Sequence, residues 1–253
     1  IKKHIIMKTF TIVFLLVWIA VAGVLKADAQ PITTIYAFGK GPANPRAGLT
    51  LGNDGNFYGT TESGGLYNDG TLFKMTTNGT MTTLVNFGDT YNRGAKPEAS
   101  LTLGLDGIFY GTTSGGGTNH SGVNATGTVF RMTTNGTVTV LVNFNGLNGG
   151  IPLAGLALGP DGNYYGATEF GGTNGDGTVF KVTTNGILTT LVNFNGTNGA
   201  NPLAGLAAGP GGNLYGTTKY GGTTNAGTVF QVTTNGTFAT LFNFAGTNGA
   251  GPY

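Results

Sequence analysis

The chain has 253 residues, of which 48 are Gly, 12 are Lys or Arg, 10 are Asp or Glu and none is Cys. That balance excludes a disulfide-stapled miniprotein, a cysteine-ligated metal protein, a coiled coil and a basic nucleic-acid binder. It also excludes a disordered chain, since 39% of the residues are hydrophobic and recur at regular spacing.

The formal charge of +2 is a property of the amino-terminal segment. Residues 1–29 hold Lys2, Lys3, Lys8 and Lys26 against Asp28, and the remainder carries one more anion than cations, with no basic patch. The basic Lys8, the apolar run from Phe10 to Leu25 and the small-x-small triplet Ala27-Asp28-Ala29 form the three regions of a secretory signal peptide, with cleavage expected after Ala29. An uncleaved anchor is the alternative, although 16 apolar residues are short for a span. Met7 is a plausible start, which makes the first six residues upstream reading frame.

Beyond the leader, one unit repeats. TTIYAF, TTLVNF, TVLVNF, TTLVNF and ATLFNF end at Phe38, Phe87, Phe144, Phe194 and Phe244. NFYGTT, IFYGTT, NYYGAT and NLYGTT contain Tyr58, Tyr110, Tyr165 and Tyr215, and GTLFKMT, GTVFRMT, GTVFKVT and GTVFQVT contain Phe73, Phe130, Phe180 and Phe230. The period of about 50 residues is that of four-stranded propeller blades. Repeats are placed at about 33–81, 82–138, 139–188 and 189–238, with a partial unit at 239–253. Each holds four short β-branched or aromatic runs, here a, b, c and d, with no helical periodicity. Asp-Gly or Gly-Gly joins a to b, and Asn-Gly joins c to d, at the positions where two-residue hairpin turns need positive φ.

Spacing gives the polarity of the unit. Each repeat proline (Pro45, Pro97, Pro152, Pro202) precedes its tyrosine by 13 residues, and each strand-c Phe precedes the Phe ending strand d by 14. The b-to-c interval is 15, 20, 15 and 15 residues, and the d-to-a interval 7, 10, 8 and 8. Those two connections share one end of an up-and-down blade, so one face is invariant and the other variable, as at the binding side of repeat proteins. The expected fold is an all-β β-propeller with four complete blades; a β-solenoid is the alternative. Residues 32–38 match strand d without a blade of their own, and NGAGPY after Phe244 matches the lead into a further strand a. Both observations lead to the expectation that these blades are a fragment of a larger propeller.

The repeat AGLxLGxDGNxYGTTxxGGxxNxGTVFKxTTNGTxTTLVNF resembles the GloVer tandem repeat of bacterial choice-of-anchor proteins, over about Thr33 to Tyr253. The resemblance implies a propeller-like domain behind a signal peptide, often before a carboxy-terminal sorting segment, and carries no assigned catalytic residues.

Candidate chemistry is sparse. Asp54, Asp106 and Asp161 lie in the a–b turns, where turn geometry accounts for them better than calcium does, and Asp69 and Asp176 recur before strand c. Glu62 and Glu169 follow strand b, matched by Ser114 and Lys219; as a pair they would suit glycoside hydrolysis, but they are two blades apart and are read as solvated loop charges. His120 is the one His after the leader. Asn78-Gly79-Thr80 and its counterparts match a glycosylation acceptor but are read as turns. Tyr67, Phe170 and Tyr220, near Asn68, Asn174 and Asn225, offer aromatic platforms beside amides and are the expected binding residues. No catalytic residue, metal ligand or cofactor is expected. The expectation is a secreted or cell-surface recognition module with an adhesive or scaffolding role toward an extracellular glycan or protein, not nucleic acid, with no membrane span after cleavage. A carbohydrate-binding module and a propeller-type lyase or glycosidase are the alternatives.

Overall fold

The computed structural model describes residues 34, 36–38, 41–89, 93–117 and 126–253; the segment expected to be a signal peptide, the expected cleavage point after Ala29 and His120 lie outside them. Four antiparallel sheets follow one another, each a four-strand meander in sequence order. The first blade is β1 (Thr50–Leu51), β2 (Phe57–Thr61), β3 (Thr71–Met75) and β4 (Met81–Asn86). The second is β5 (Thr102–Leu103), β6 (Phe109–Thr113), β7 (Thr128–Met132) and β8 (Val138–Asn143). The third is β9 (Ala157–Leu158), β10 (Tyr164–Thr168), β11 (Thr178–Val182) and β12 (Leu188–Asn193), and the fourth β13 (Ala207–Ala208), β14 (Leu214–Thr218), β15 (Thr228–Val232) and β16 (Phe238–Asn243). These blades lie in the unit Ile35–Tyr253. Among the described residues no helix is long and apolar enough to cross a membrane.

The short a strands are innermost because their flanks are small enough for close approach. Thr50 Oγ1 donates to Leu101 O at 2.6 Å and Thr102 Oγ1 to Leu156 O at 2.6 Å, so the first two inner strands are each hydroxyl-bonded to the next, while the third has Ala157 at this position. A β-carbon at Gly155 would lie 3.0 Å from Ser100 O, which accounts for the glycine at that position.

Both hairpins occur where the sequence places them, but their turns differ from the two-residue form. Gly52 N donates to Asn56 O and Gly55 N to Gly52 O; Thr76 N donates to Thr80 O and Gly79 N to Thr76 O. The loops therefore have three residues, a turn closed by a left-handed Gly (Gly55 φ 76°, Gly79 φ 87°), and Asp54 and Asn78 keep negative φ. The aspartate has a second task. Asp54, Asp106 and Asp161 accept from Tyr58, Tyr110 and Tyr165 hydroxyls at 2.9, 2.8 and 2.7 Å. Burial and the neighbouring carboxylate push these phenols' pKa values up. The fourth blade has Gly211 there, and Tyr215 lacks this cap.

The core lies between blades. Tyr58, Leu72, Val85 and Phe87 of the first blade pack on Leu101, Phe109, Phe130 and Met132 of the second, and the next two junctions repeat this set. At its centre the Phe ending strand d stands on strand c's Phe of the following blade: Phe87 on Phe130 at 5.7 Å, Phe144 on Phe180 at 5.2 Å, Phe194 on Phe230 at 5.3 Å. Each such ring, fully buried, contributes about 1.5–3 kcal/mol. Phe38 makes the same contact with Phe73 at 5.6 Å, although Thr34 and Tyr36–Phe38 belong to no strand. A buried hydroxyl pair ties b to c in every blade: Thr61 to Thr71, Thr113 to Thr128, Thr168 to Thr178 and Thr218 to Thr228, at 2.8–2.9 Å. The Thr residues of YGTT and GTVF are therefore more than strand formers, because their hydroxyls satisfy one another where water is excluded.

Candidate functional site

The variable face carries a charged rim at the entry to the inner strands. Two sequence positions supply it: the residue after strand b (Glu62, Ser114, Glu169, Lys219) and the residue after each repeat proline (Arg46, Glu98, Leu153, Leu203). The first set is placed by backbone geometry. The residue before each proline has left-handed φ, at 55° for Asn44, 56° for Lys96, 54° for Ile151 and 53° for Asn201. Its carbonyl accepts the N–H of Glu62, Ser114, Glu169 or Lys219 at 3.0–3.1 Å. At Lys96, Ile151 and Asn201 its own N–H bonds to the loop before strand c of the preceding blade (Asp69, Thr126 and Asp176 carbonyls). A left-handed L-residue costs roughly 1–2 kcal/mol, most for a β-branched one, and such strain concentrates at functional sites. Ile151→Asn, copying Asn44 and Asn201, is therefore expected to raise stability by about 1 kcal/mol in denaturant unfolding. An unchanged or lower midpoint would mean that the isoleucine side chain outweighs its backbone strain.

Side chains then join the blades. Arg46 bridges Glu62 at 2.7 Å and Glu98 at 2.9 Å, and Ser114 Oγ donates to Glu98 Oε1 at 2.6 Å. The Glu62 and Glu98 side chains are only 19% and 13% exposed, so Glu62 is a held ion-pair partner and not the solvated loop charge its sequence position suggests. Glu169 is held above the usual carboxylate range, first by burial, against the opposing pull of Lys219 and with a further push from Glu98. Lys219 Nζ donates to Tyr253 OH at 2.5 Å and lies over the rings of Tyr220 and Tyr253. The rim thus joins Arg46, Glu62, Glu98 and Ser114 directly across the first two blades and continues with Glu169 and Lys219 in the third and fourth. It combines a clamped carboxylate pair with a further carboxylate of raised proton affinity.

The expected binding residues divide. Phe170 and Tyr220 occupy equivalent positions immediately after Glu169 and Lys219, and both are 44% exposed. Tyr67 is 51% exposed but sits deeper in its loop sequence, not next to a rim position. The three amides are engaged within the protein. Asn68 and Asn225 take left-handed φ and accept from Gly64 N and Gly221 N, while Asn174 donates to Phe194 O. Arg46 and Glu98 escaped the sequence reading. The signal for them is that the residue after proline varies in a repeat that is otherwise nearly constant. Among the described residues no three His, Cys, Asp or Glu side chains converge to hold a metal ion.

The Gloeobacter/Verrucomicrobia repeat model matches residues 23–123 and 118–253, and the chain belongs to this family. No curated protein matches it. Among solved structures it is similar to virginiamycin B lyase from Staphylococcus aureus (20% identity, TM-score 0.54, covering 76% of this chain and 54% of that one). It is similar also to a streptogramin B lyase (18%, TM-score 0.53, 79% and 55%) and to a putative 6-phosphogluconolactonase from Bacteroides uniformis (15%, TM-score 0.50, 81% and 58%). These likenesses show the propeller fold. The chain spans a little more than half the length of each of these proteins.

Proposed function

We propose that this propeller is a secreted or cell-surface recognition module with a non-catalytic, adhesive or scaffolding role, binding an extracellular glycan or protein through its variable face. The observation that carries this reading is the juxtaposition of exposed Phe170 and Tyr220 with the rim charges Glu169 and Lys219, on the face that holds every variable-length connection. Aromatic faces beside fixed polar groups suit sugar rings, which stack and hydrogen-bond at once. The basic, apolar and small-residue segments of the leader support export.

The test is a glycan and extracellular-protein array probed with the chain, Phe170→Ala and Tyr220→Ala. Binding that falls about tenfold or more in either variant is expected, the scale of one interfacial anchor. Absence of binding, or binding indifferent to both changes, would refute it. A propeller-type glycosidase or lyase is the second reading, favoured by the Coulombic coupling of Glu98 to a Glu169 of raised proton affinity. Turnover of an array-identified glycan that disappears in Glu169→Gln would put this reading ahead of the first.

A further inference from the structure

On the opposite, hairpin face the blades repeat one construction closely enough for a departure at one junction to stand out. The first residue of an a–b turn leans on the turn glycine of the next blade. A β-carbon at Gly107 would lie 3.3 Å from Asn53 Nδ2, and one at Gly212 3.1 Å from Pro160 Cγ. Between the second and third blades this contact is missing: Leu105 is 88% exposed, and a β-carbon at Gly162 would meet nothing within 4 Å. A cavity of about 280 Å³ opens there, lined by Leu105, Asp106, Arg131, Leu158, Tyr164 and Thr184 among others.

Three of these residues depart from the repeat. Leu105 replaces the Asn or Pro of the other turns, Arg131 stands where the others have Lys74, Lys181 and Gln231, and Tyr164 where they have Phe57, Phe109 and Leu214. In the first blade Lys74 closes on Asp54 at 2.8 Å. The Arg131 side chain makes no ion pair or hydrogen bond among the described residues, although its backbone is paired to β6 and β8, while Asp106 accepts from Tyr110 OH at 2.8 Å and from Ile108 N at 3.1 Å. Tyr164 is stacked on Tyr110 with ring centroids 3.9 Å apart, which fixes its ring at the cavity edge.

We propose that this notch binds a small monocarboxylic acid with an apolar body, its carboxylate on the Arg131 guanidinium and its body against Leu158, Leu105 and the Tyr164 ring. Guanidinium and carboxylate match as a bidentate, charge-assisted pair. The volume lies at the low end of ligand sites, about 300–1,000 Å³, so the ligand is small. Asp106 adds a fixed negative charge that disfavours a multiply charged anion such as phosphate.

The experiment is titration of the isotopically labelled full chain with benzoate, followed by amide chemical shifts. Saturable shifts are expected around Leu105, Arg131, Gly162 and Thr184, with affinity about tenfold weaker for neutral benzamide and for Arg131→Gln. Leu105→Pro copies Pro160, fills the notch and is expected to abolish binding while the thermal midpoint stays at the wild-type value. No saturable shift at the notch, equal affinity for benzamide or inorganic phosphate, or undiminished binding in a folded Leu105→Pro chain would each overturn the proposal. Because the notch and the rim lie at opposite ends of the strands, failure here leaves the recognition reading untouched.

Discussion

Phe180→Ala is expected to destabilise the protein by about 3–5 kcal/mol, the range for truncating a fully buried Phe. The ring has no solvent exposure, stands edge-on to Phe144, and its Cζ occupies the space that a β-carbon at Gly166 would need at 2.5 Å. Gly166 cannot move in to refill the void, because its strand is paired on both sides to β9 and β11. The lowered thermal midpoint, roughly 6–20 °C for a domain of this size, checks the expectation. Phe242→Ala is the internal comparison. Its ring is 43% exposed on the outer side of the fourth blade, whereas Val85, Val142 and Val192 at the same repeat position are 4–6% exposed. The comparison change is expected to cost less than about 1 kcal/mol. Equal costs would mean that blade-to-blade packing is not what holds the arc together.

Most of this architecture is legible in the sequence because its determinants are local. Asp-Gly and Asn-Gly mark the hairpins whatever surrounds them, and the fixed intervals of 13 and 14 residues assign those hairpins to one face. The turn type was harder to read. A positive φ at Gly alone and at both turn residues leaves the same Asn-Gly or Asp-Gly in the sequence, and the cross-strand bonds decide between them. The Asp-to-Tyr cap spans four residues and the threonine lock 10 or 15. Both are hidden because Tyr and Thr already suit strands and Asp already suits turns.

The rim was less legible, for a geometric reason. Glu62 and Glu98 are 36 positions apart and in different blades, and only inner-strand convergence brings both to Arg46. Both sites share a signature that repeats make visible: positions where a self-similar chain stops resembling itself. Arg46 and Glu98 replace the leucines of the later repeats, while Leu105, Arg131 and Tyr164 break the pattern together at one junction. The paired aromatics and asparagines followed a different logic. Proximity in sequence suggests a shared surface, but Asn68 and Asn225 turn their side-chain oxygens to closing their own loops, and Asn174 ties its loop to the end of strand d.

Gly177→Ala is expected to be as damaging as removing a core ring, with a loss of about 3–4 kcal/mol, although it adds a single methyl group. The glycine opens strand c at φ 96°, a conformation that costs an L-residue roughly 1–2 kcal/mol. Its β-carbon would lie 2.4 Å from Thr168 O, 2.8 Å from Glu169 O and 2.7 Å from Pro202 Cδ. Two of those atoms are backbone. Thr168 is anchored by the buried threonine pair, and Pro202 follows the left-handed Asn201 whose carbonyl holds the rim residue Lys219. Overpacking of this kind adds about 1–3 kcal/mol to the backbone cost. Gly175→Ala separates the two contributions. That glycine lies in the same loop at φ 85°, but its β-carbon would meet nothing within 4 Å, so only the backbone cost of about 1–2 kcal/mol remains. Chemical unfolding of both variants is the measurement. A deficit in Gly177→Ala exceeding that in Gly175→Ala by 1 kcal/mol or more, roughly the lower bound for overpacking, identifies the contact among glycine, strand b and the next blade's proline as the reason that Gly-Thr opens strand c in every repeat. Equal deficits would reduce the motif to its backbone angle, and the constant proline would then need another explanation.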